Sequence, residues 1–115
     1  MKALHTKSAP AAIGPYSQAI EVNGFDPASG EFVEGGIKEQ TRQALTNAAH
    51  IMAEAGIDLS HVVKTTVFLA DMADFAAMNE VYSTFFKEPF PARSAVAVKA
   101  LPKGALVEVE CVAVK

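Results

Sequence analysis

Hydrophobic residues recur every third or fourth position through the middle of the chain and every second position near its end, a change of period that separates helices from strands. Ile37 to Ala55 reads as a helix with Leu45, Ala48, Ala49, Met52 and Ala55 on one apolar stripe. Lys38, Glu39, Arg42, Asn47 and Glu54 take its other faces, and Gly56 is placed to end it. Asp71 to Asp74 offers capping oxygens for a second helix running through Phe86, whose buried face is Phe75, Met78, Val81, Tyr82 and Phe85. Asn79 falls beside that stripe, a turn from Phe75. Such a residue is commonly a boundary position satisfied by backbone or water.

Strands are predicted at Ser17 to Val22 and Val62 to Ala70, with a short edge strand within Lys2 to Thr6. Two more flank Pro102-Lys103-Gly104-Ala105 and read as a hairpin pairing Leu101 with Leu106. That register gathers Ser94, Val96, Val98 and Ala100 with Val107, Val109, Cys111 and Ala113 on a face for the helices to cover. The opposite face then holds Arg93, Ala95, Ala97 and Lys99 with Glu108, Glu110, Val112 and Val114. The predicted architecture is α+β, one sheet with both helices on one side. Its uncovered face is too apolar to be wholly solvated, which points to association of several subunits through it.

One turn has no sequel. Asn23-Gly24 signals a hairpin, yet Phe25 runs directly into a second turn-rich segment, Asp26-Pro27-Ala28-Ser29-Gly30. The returning arm is missing. Either the strand has been deleted, or the sequence skips residues that the molecule carries. Loss of a central strand would leave its neighbours' backbone groups unpaired, which favours the second reading. An intact mass equal to that of 115 residues would overturn it.

At 115 residues and 50% hydrophobic, residues 1–115 form a single domain with a real core but little room for a deep enclosed pocket. A net charge of −3 and the lack of any basic run argue against nucleic acid. The absence of a secretory signal at Met1 to His5 and of a membrane-length apolar run predicts a soluble, cytoplasmic protein. Cys111 is the only cysteine, so no internal disulfide forms, and its apolar alternation predicts a buried thiol. His5, His50 and His61 show no metal-ligand spacing with one another or with Cys111. Nor is there a phosphate loop or a serine-histidine-aspartate order.

The chemistry centres on Pro91-Ala92-Arg93-Ser94-Ala95-Val96-Ala97-Val98, where one arginine opens an otherwise apolar strand. A guanidinium among alanines offers a planar fork matching a carboxylate, or it forms an ion pair at a subunit boundary. Tyr16 leaves the loop Ser8 to Pro15, as an edge of the core or as a hydroxyl reaching a ligand. Glu108 and Glu110 share a strand face. Glu108 then either pairs with Lys99 across the hairpin or orients a water molecule. In that register Arg93 and Glu108 stand roughly 20 Å apart, so they meet one ligand only if neighbouring subunits supply them.

Three stretches, Ala9-Pro10-Ala11-Ala12-Ile13-Gly14-Pro15-Tyr16-Ser17-Gln18-Ala19, Val63-Lys64-Thr65-Thr66-Val67-Phe68-Leu69 and Pro91-Ala92-Arg93-Ser94, resemble the Rid or YjgF family of reactive-intermediate deaminases, in family order and across nearly the whole chain. The resemblance implies a chorismate mutase-like fold and a homotrimer with sheets around a central axis and sites between subunits. It implies cofactor-free hydrolysis of 2-iminobutanoate or 2-iminopropanoate to the 2-oxo acid and ammonia. By position, Arg93 holds the substrate carboxylate, Tyr16 and Asn79 contribute to binding, and Glu108 positions water. Ala95 departs from the family, many members having cysteine there, so covalent chemistry at that position is impossible. The family strand of roughly nine residues carrying Ser-Gly-Gln has no counterpart after Phe25. The alternatives are a non-catalytic trimeric module binding small keto or imino acids, and a ribonuclease or translation inhibitor, which the acidic charge opposes.

Overall fold

The computed structural model of the protein describes Lys2, Ala3 and residues 17–115. Helix α1 (Ile37–Glu54) starts where the Gly36 N–H donates to Glu39 Oε1 at 2.9 Å. It ends as predicted at Gly56, whose φ of +76° turns the chain while Gly56 N–H and Ile57 N–H take the carbonyls of Ala53 and Met52. Ala44, Leu45, Ala48 and Met52 are buried on its inner stripe.

Asn47 corrects the expected pattern: it lies on the covered side, 5% exposed. Its Nδ2 donates to the carbonyls of Asn23 at 3.1 Å and Phe25 at 2.8 Å, and its Oδ1 accepts from Gln43 at 2.8 Å. Gln40 is buried for a similar reason, its Oε1 accepting the Leu106 N–H at 2.9 Å. Both polar side chains satisfy backbone groups of segments that leave the sheet, which the period of α1 alone could not reveal.

Helix α2 (Phe75–Tyr82) follows a 3-10 turn at Met72–Asp74, whose Ala73 N–H donates to Asp71 Oδ1 at 2.9 Å. It is four residues shorter than predicted. Phe86 is nevertheless buried, because turns at Thr84 and Phe85 bring it back to the core beside Tyr82.

The strands β1 (Lys2–Ala3), β2 (Ser17–Asn23), β3 (Val62–Leu69), β4 (Ala92–Ala97) and β5 (Val107–Val114) form one mixed sheet in the order β1-β2-β5-β3-β4. The expected hairpin of the last two strands does not form. β4 pairs parallel with β3, and β5 lies on the other side of β3, antiparallel to it and to β2. The path from β3 through α2 to β4 is a helical crossover, which returns a strand parallel to the first. β5, whose Val107, Val109, Cys111 and Ala113 are all buried, takes the middle and is paired along both edges.

This order reverses the expected facing of β4. Thr65 of β3 stands opposite both Arg93 and Cys111, so Arg93 and Ala95 lie on the helix-covered face. Ser94 and Val96 lie on the open face, Val96 being 43% exposed. Ile20, Val22, Val67, Leu69, Val107 and Val109 close the core against α1 and α2.

Among the described residues the sheet closes without the missing hairpin arm. β2 is bonded to β1 at Ile20 and Glu21 on one side, and along Ser17 to Asn23 to β5 on the other. The short excursion after it closes on itself, with Phe25 and Phe32 bridged and their rings stacked 4.2 Å apart.

Candidate active site

Phe75, Asn79 and Tyr82 stand at i, i+4 and i+7 of α2 and form one stripe facing β4. Arg93 lies against it. Its Nη1 donates to Asn79 Oδ1 at 2.6 Å, and its guanidinium carbon lies 4.6 Å from the Tyr82 ring centroid and 5.4 Å from that of Phe75. The Tyr82 hydroxyl is bonded at 2.7 Å to Oγ1 of Thr65, a fully buried residue opposite Arg93 in the β3–β4 ladder. Burial pushes the Tyr82 phenol above its ordinary pKa, while the Thr65 bond and the charge of Arg93 pull it back. Among the described residues Arg93 makes no ion pair.

A cavity of about 360 Å³ opens at this point, lined by Asn79, Tyr82, Ser83, Phe86, Phe90, Pro91 and Arg93. An arginine fork with no ion pair among the described residues, beside apolar walls, suits a small organic acid, with the carboxylate on the cation and the carbon chain on the rings. Arg93 was a candidate from the strand pattern and Asn79 only through the family resemblance; the structure brings the two together. The roles of Tyr82 and Phe75 were not legible in the sequence, because an apolar helix stripe gives the same pattern whether it meets core or cation.

Glu108 lies elsewhere. It stands on the open face between Asn23 of β2 and Phe68 of β3, so the expected pairing with Lys99 is replaced. Arg93 and Glu108 therefore occupy opposite faces, not the shared face inferred from the hairpin register. Partial burial raises the Glu108 pKa above its ordinary value, and the nearby Glu21 carboxyl raises it further by hydrogen bonding and like charge. Tyr16 lies outside the described residues.

Two other cavities, of about 550 Å³ beside Phe25, His50 and Lys103 and of about 370 Å³ beside Phe85 and Leu59, contain none of these candidate residues. No described helix is long and apolar enough to cross a membrane. Cys111 is buried as expected, and that burial, with Glu110 beside it, pushes its thiol up to about 12.

The sequence profile described as Endoribonuclease L-PSP matches residues 6–115. A mouse 2-iminobutanoate/2-iminopropanoate deaminase is 50% identical over 123 positions, covering 99% of this chain and 91% of the mouse protein. The crystal structure of RidA from an Antarctic Psychrobacter species is 45% identical with a TM-score of 0.78, covering 96% of this chain and 97% of that one. Escherichia coli TdcF with bound serine is 35% identical with a TM-score of 0.81, covering 100% and 99% of the two chains.

Proposed function

Because this chain belongs to the Endoribonuclease L-PSP family, which includes the Rid and YjgF proteins, we propose that it is a 2-iminobutanoate/2-iminopropanoate deaminase, hydrolysing reactive imino acids to 2-oxo acids and ammonia. The observation that carries the reading is Arg93, held by Asn79 at the mouth of a cavity with no carboxylate neutralising it among the described residues. Arg93 receives the substrate carboxylate and so fixes the adjacent C=N carbon. Glu108 accepts a proton from water as the oxygen adds to that carbon, and the proton later leaves on ammonia. The iminium is electrophilic by itself, so the reaction calls on no cofactor. Tyr16 completes the binding residues in this proposal.

The opposite facing of Arg93 and Glu108 bears on assembly. One chain cannot bring both to the same ligand, so the site lies between subunits, each supplying one of the pair. A homotrimer with sheets around a central axis satisfies this, and the partly exposed Val96 on the open face supports burial there. The protein works in the cytoplasm in this reading, where a lone unpaired thiol is ordinary.

The domain is a single unit lacking one family strand after Phe25. The mouse alignment supports this, since its 123 positions exceed the 115 residues available, leaving at least eight of the relative's residues without a counterpart.

The test is ammonia release from 2-iminobutanoate generated in place by a threonine dehydratase. The protein should accelerate it, Arg93→Ala should lose the acceleration, and Glu108→Gln should lose turnover while still binding 2-oxobutanoate. The facing of the two residues also gives a second reading some support, a module that binds keto or imino acids through Arg93 alone. Binding without acceleration by the parent protein would establish that reading instead.

A further inference from the structure

An arginine that must greet a carboxylate faces a conflict. Left loose, a long side chain pays rotamer entropy on binding; held by an aspartate or glutamate, it arrives already neutralised. The surroundings of Arg93 avoid both. Among the described residues its polar partner is the neutral amide of Asn79, at 2.6 Å, and its other close neighbours are the rings of Tyr82 and Phe75. Ring faces attract a cation through their quadrupole without cancelling its charge. One of the five guanidinium N–H groups goes to Asn79, which leaves donors for a ligand.

The cradle is itself anchored. Tyr82 is 7% exposed, its hydroxyl is bonded to Thr65 at 2.7 Å, and its ring lies 4.7 Å from that of Phe86. Thr65 is the ladder partner of Arg93. The backbone that sets the start of the arginine side chain thus also sets the ring that meets its end, and the guanidinium plane is fixed relative to the sheet.

We propose that Tyr82 and Phe75 are positioning residues for the substrate carboxylate, their ring faces holding the Arg93 guanidinium in its binding orientation while leaving its charge unspent. The inference rests on the reading of Arg93 as the carboxylate receptor. It assigns a task to two side chains that would otherwise count only as core.

The experiment compares the parent protein with Tyr82→Phe, Tyr82→Leu, Phe75→Leu and Arg93→Ala. Calorimetry gives the Kd for 2-oxobutanoate, steady-state kinetics gives KM and kcat for 2-iminobutanoate, and a thermal melt confirms that each variant is folded. Tyr82→Phe keeps the ring under the guanidinium and loses only its anchor to Thr65, so its binding should weaken by about threefold, well short of the loss in Tyr82→Leu. Tyr82→Leu should weaken binding about tenfold and raise KM alike, with kcat changed less than about twofold. Phe75→Leu, at the longer distance, should weaken binding by about threefold. A folded Tyr82→Leu that binds like the parent would overturn the proposal, as would Tyr82→Phe binding as poorly as Tyr82→Leu. If Tyr82→Leu does not fold, Phe75→Leu decides: weakened binding upholds the proposal and unchanged binding refutes it. Arg93→Ala separates the two levels. Unchanged binding there sinks the receptor reading itself, whereas binding lost there but kept in both leucine variants sinks only the role of the rings.

Discussion

Asn79→Asp is the sharpest perturbation of this site, because it alters charge with almost no change of shape. The amide oxygen that now accepts from Arg93 at 2.6 Å would become a carboxylate oxygen in the same place. Two unit charges 4 Å apart attract by about 4 kcal/mol at an effective dielectric of 20. Both side chains are partly exposed, so solvent screening leaves about 2 kcal/mol. A ligand carboxylate would have to compete with that internal ion pair, which corresponds to a loss of roughly 30-fold in affinity. Asn79→Ala removes the hydrogen bond but leaves the cation free, and its loss should be less than about fivefold. Isothermal calorimetry with 2-oxobutanoate measures both, and thermal melts should show Asn79→Asp at least as stable as the parent. Equal affinity of Asn79→Asp and the parent would refute the assignment of Arg93 as the carboxylate receptor.

Asn47→Ala strands the carbonyls of Asn23 and Phe25 and should cost about 2–3 kcal/mol in urea unfolding, while Gln43→Ala should cost less than about 0.5. A loss from Asn47→Ala no greater than that from Gln43→Ala would remove the claim that this side chain replaces a ladder partner. Cys111, buried and with its thiol pushed up to about 12, should resist thiol reagents in the native protein and react on unfolding. Rapid native labelling would contradict its placement. Glu108 has a raised folded-state pKa, so its contribution to stability is present below the ordinary carboxylate range and lost as pH rises through the raised value. Glu108→Gln should therefore melt higher than the parent at pH 7.5, with the gap closing toward pH 4. In the parent, kcat/KM should fall on the acid side above the usual carboxylate range, because the base must be ionised.

Much of this protein is written in neighbouring residues. The stripe of α1, the glycine that ends it, the capping Asp71 and the buried alternation around Cys111 all follow from local period and backbone preference, so each was readable before any strand had a neighbour. Arg93 was readable as a candidate because a lone guanidinium on an apolar strand is a chemical anomaly wherever it folds, whereas Asn79, an ordinary boundary residue by its period, became one only through the family resemblance.

The order of the sheet was not readable in the same way. A hairpin of β4 and β5 sorts polar from apolar residues as neatly as the true arrangement does, and only competition for the edge of β3 decides between them. That decision carries Arg93 to the helix side, away from Glu108, and into the rings of Phe75 and Tyr82. The burial of Asn47 is long-range as well, its partners lying 22 and 24 positions back in the chain. Sequence determined which side chains could do the chemistry; long-range pairing, which no local period encodes, determined which of them meet.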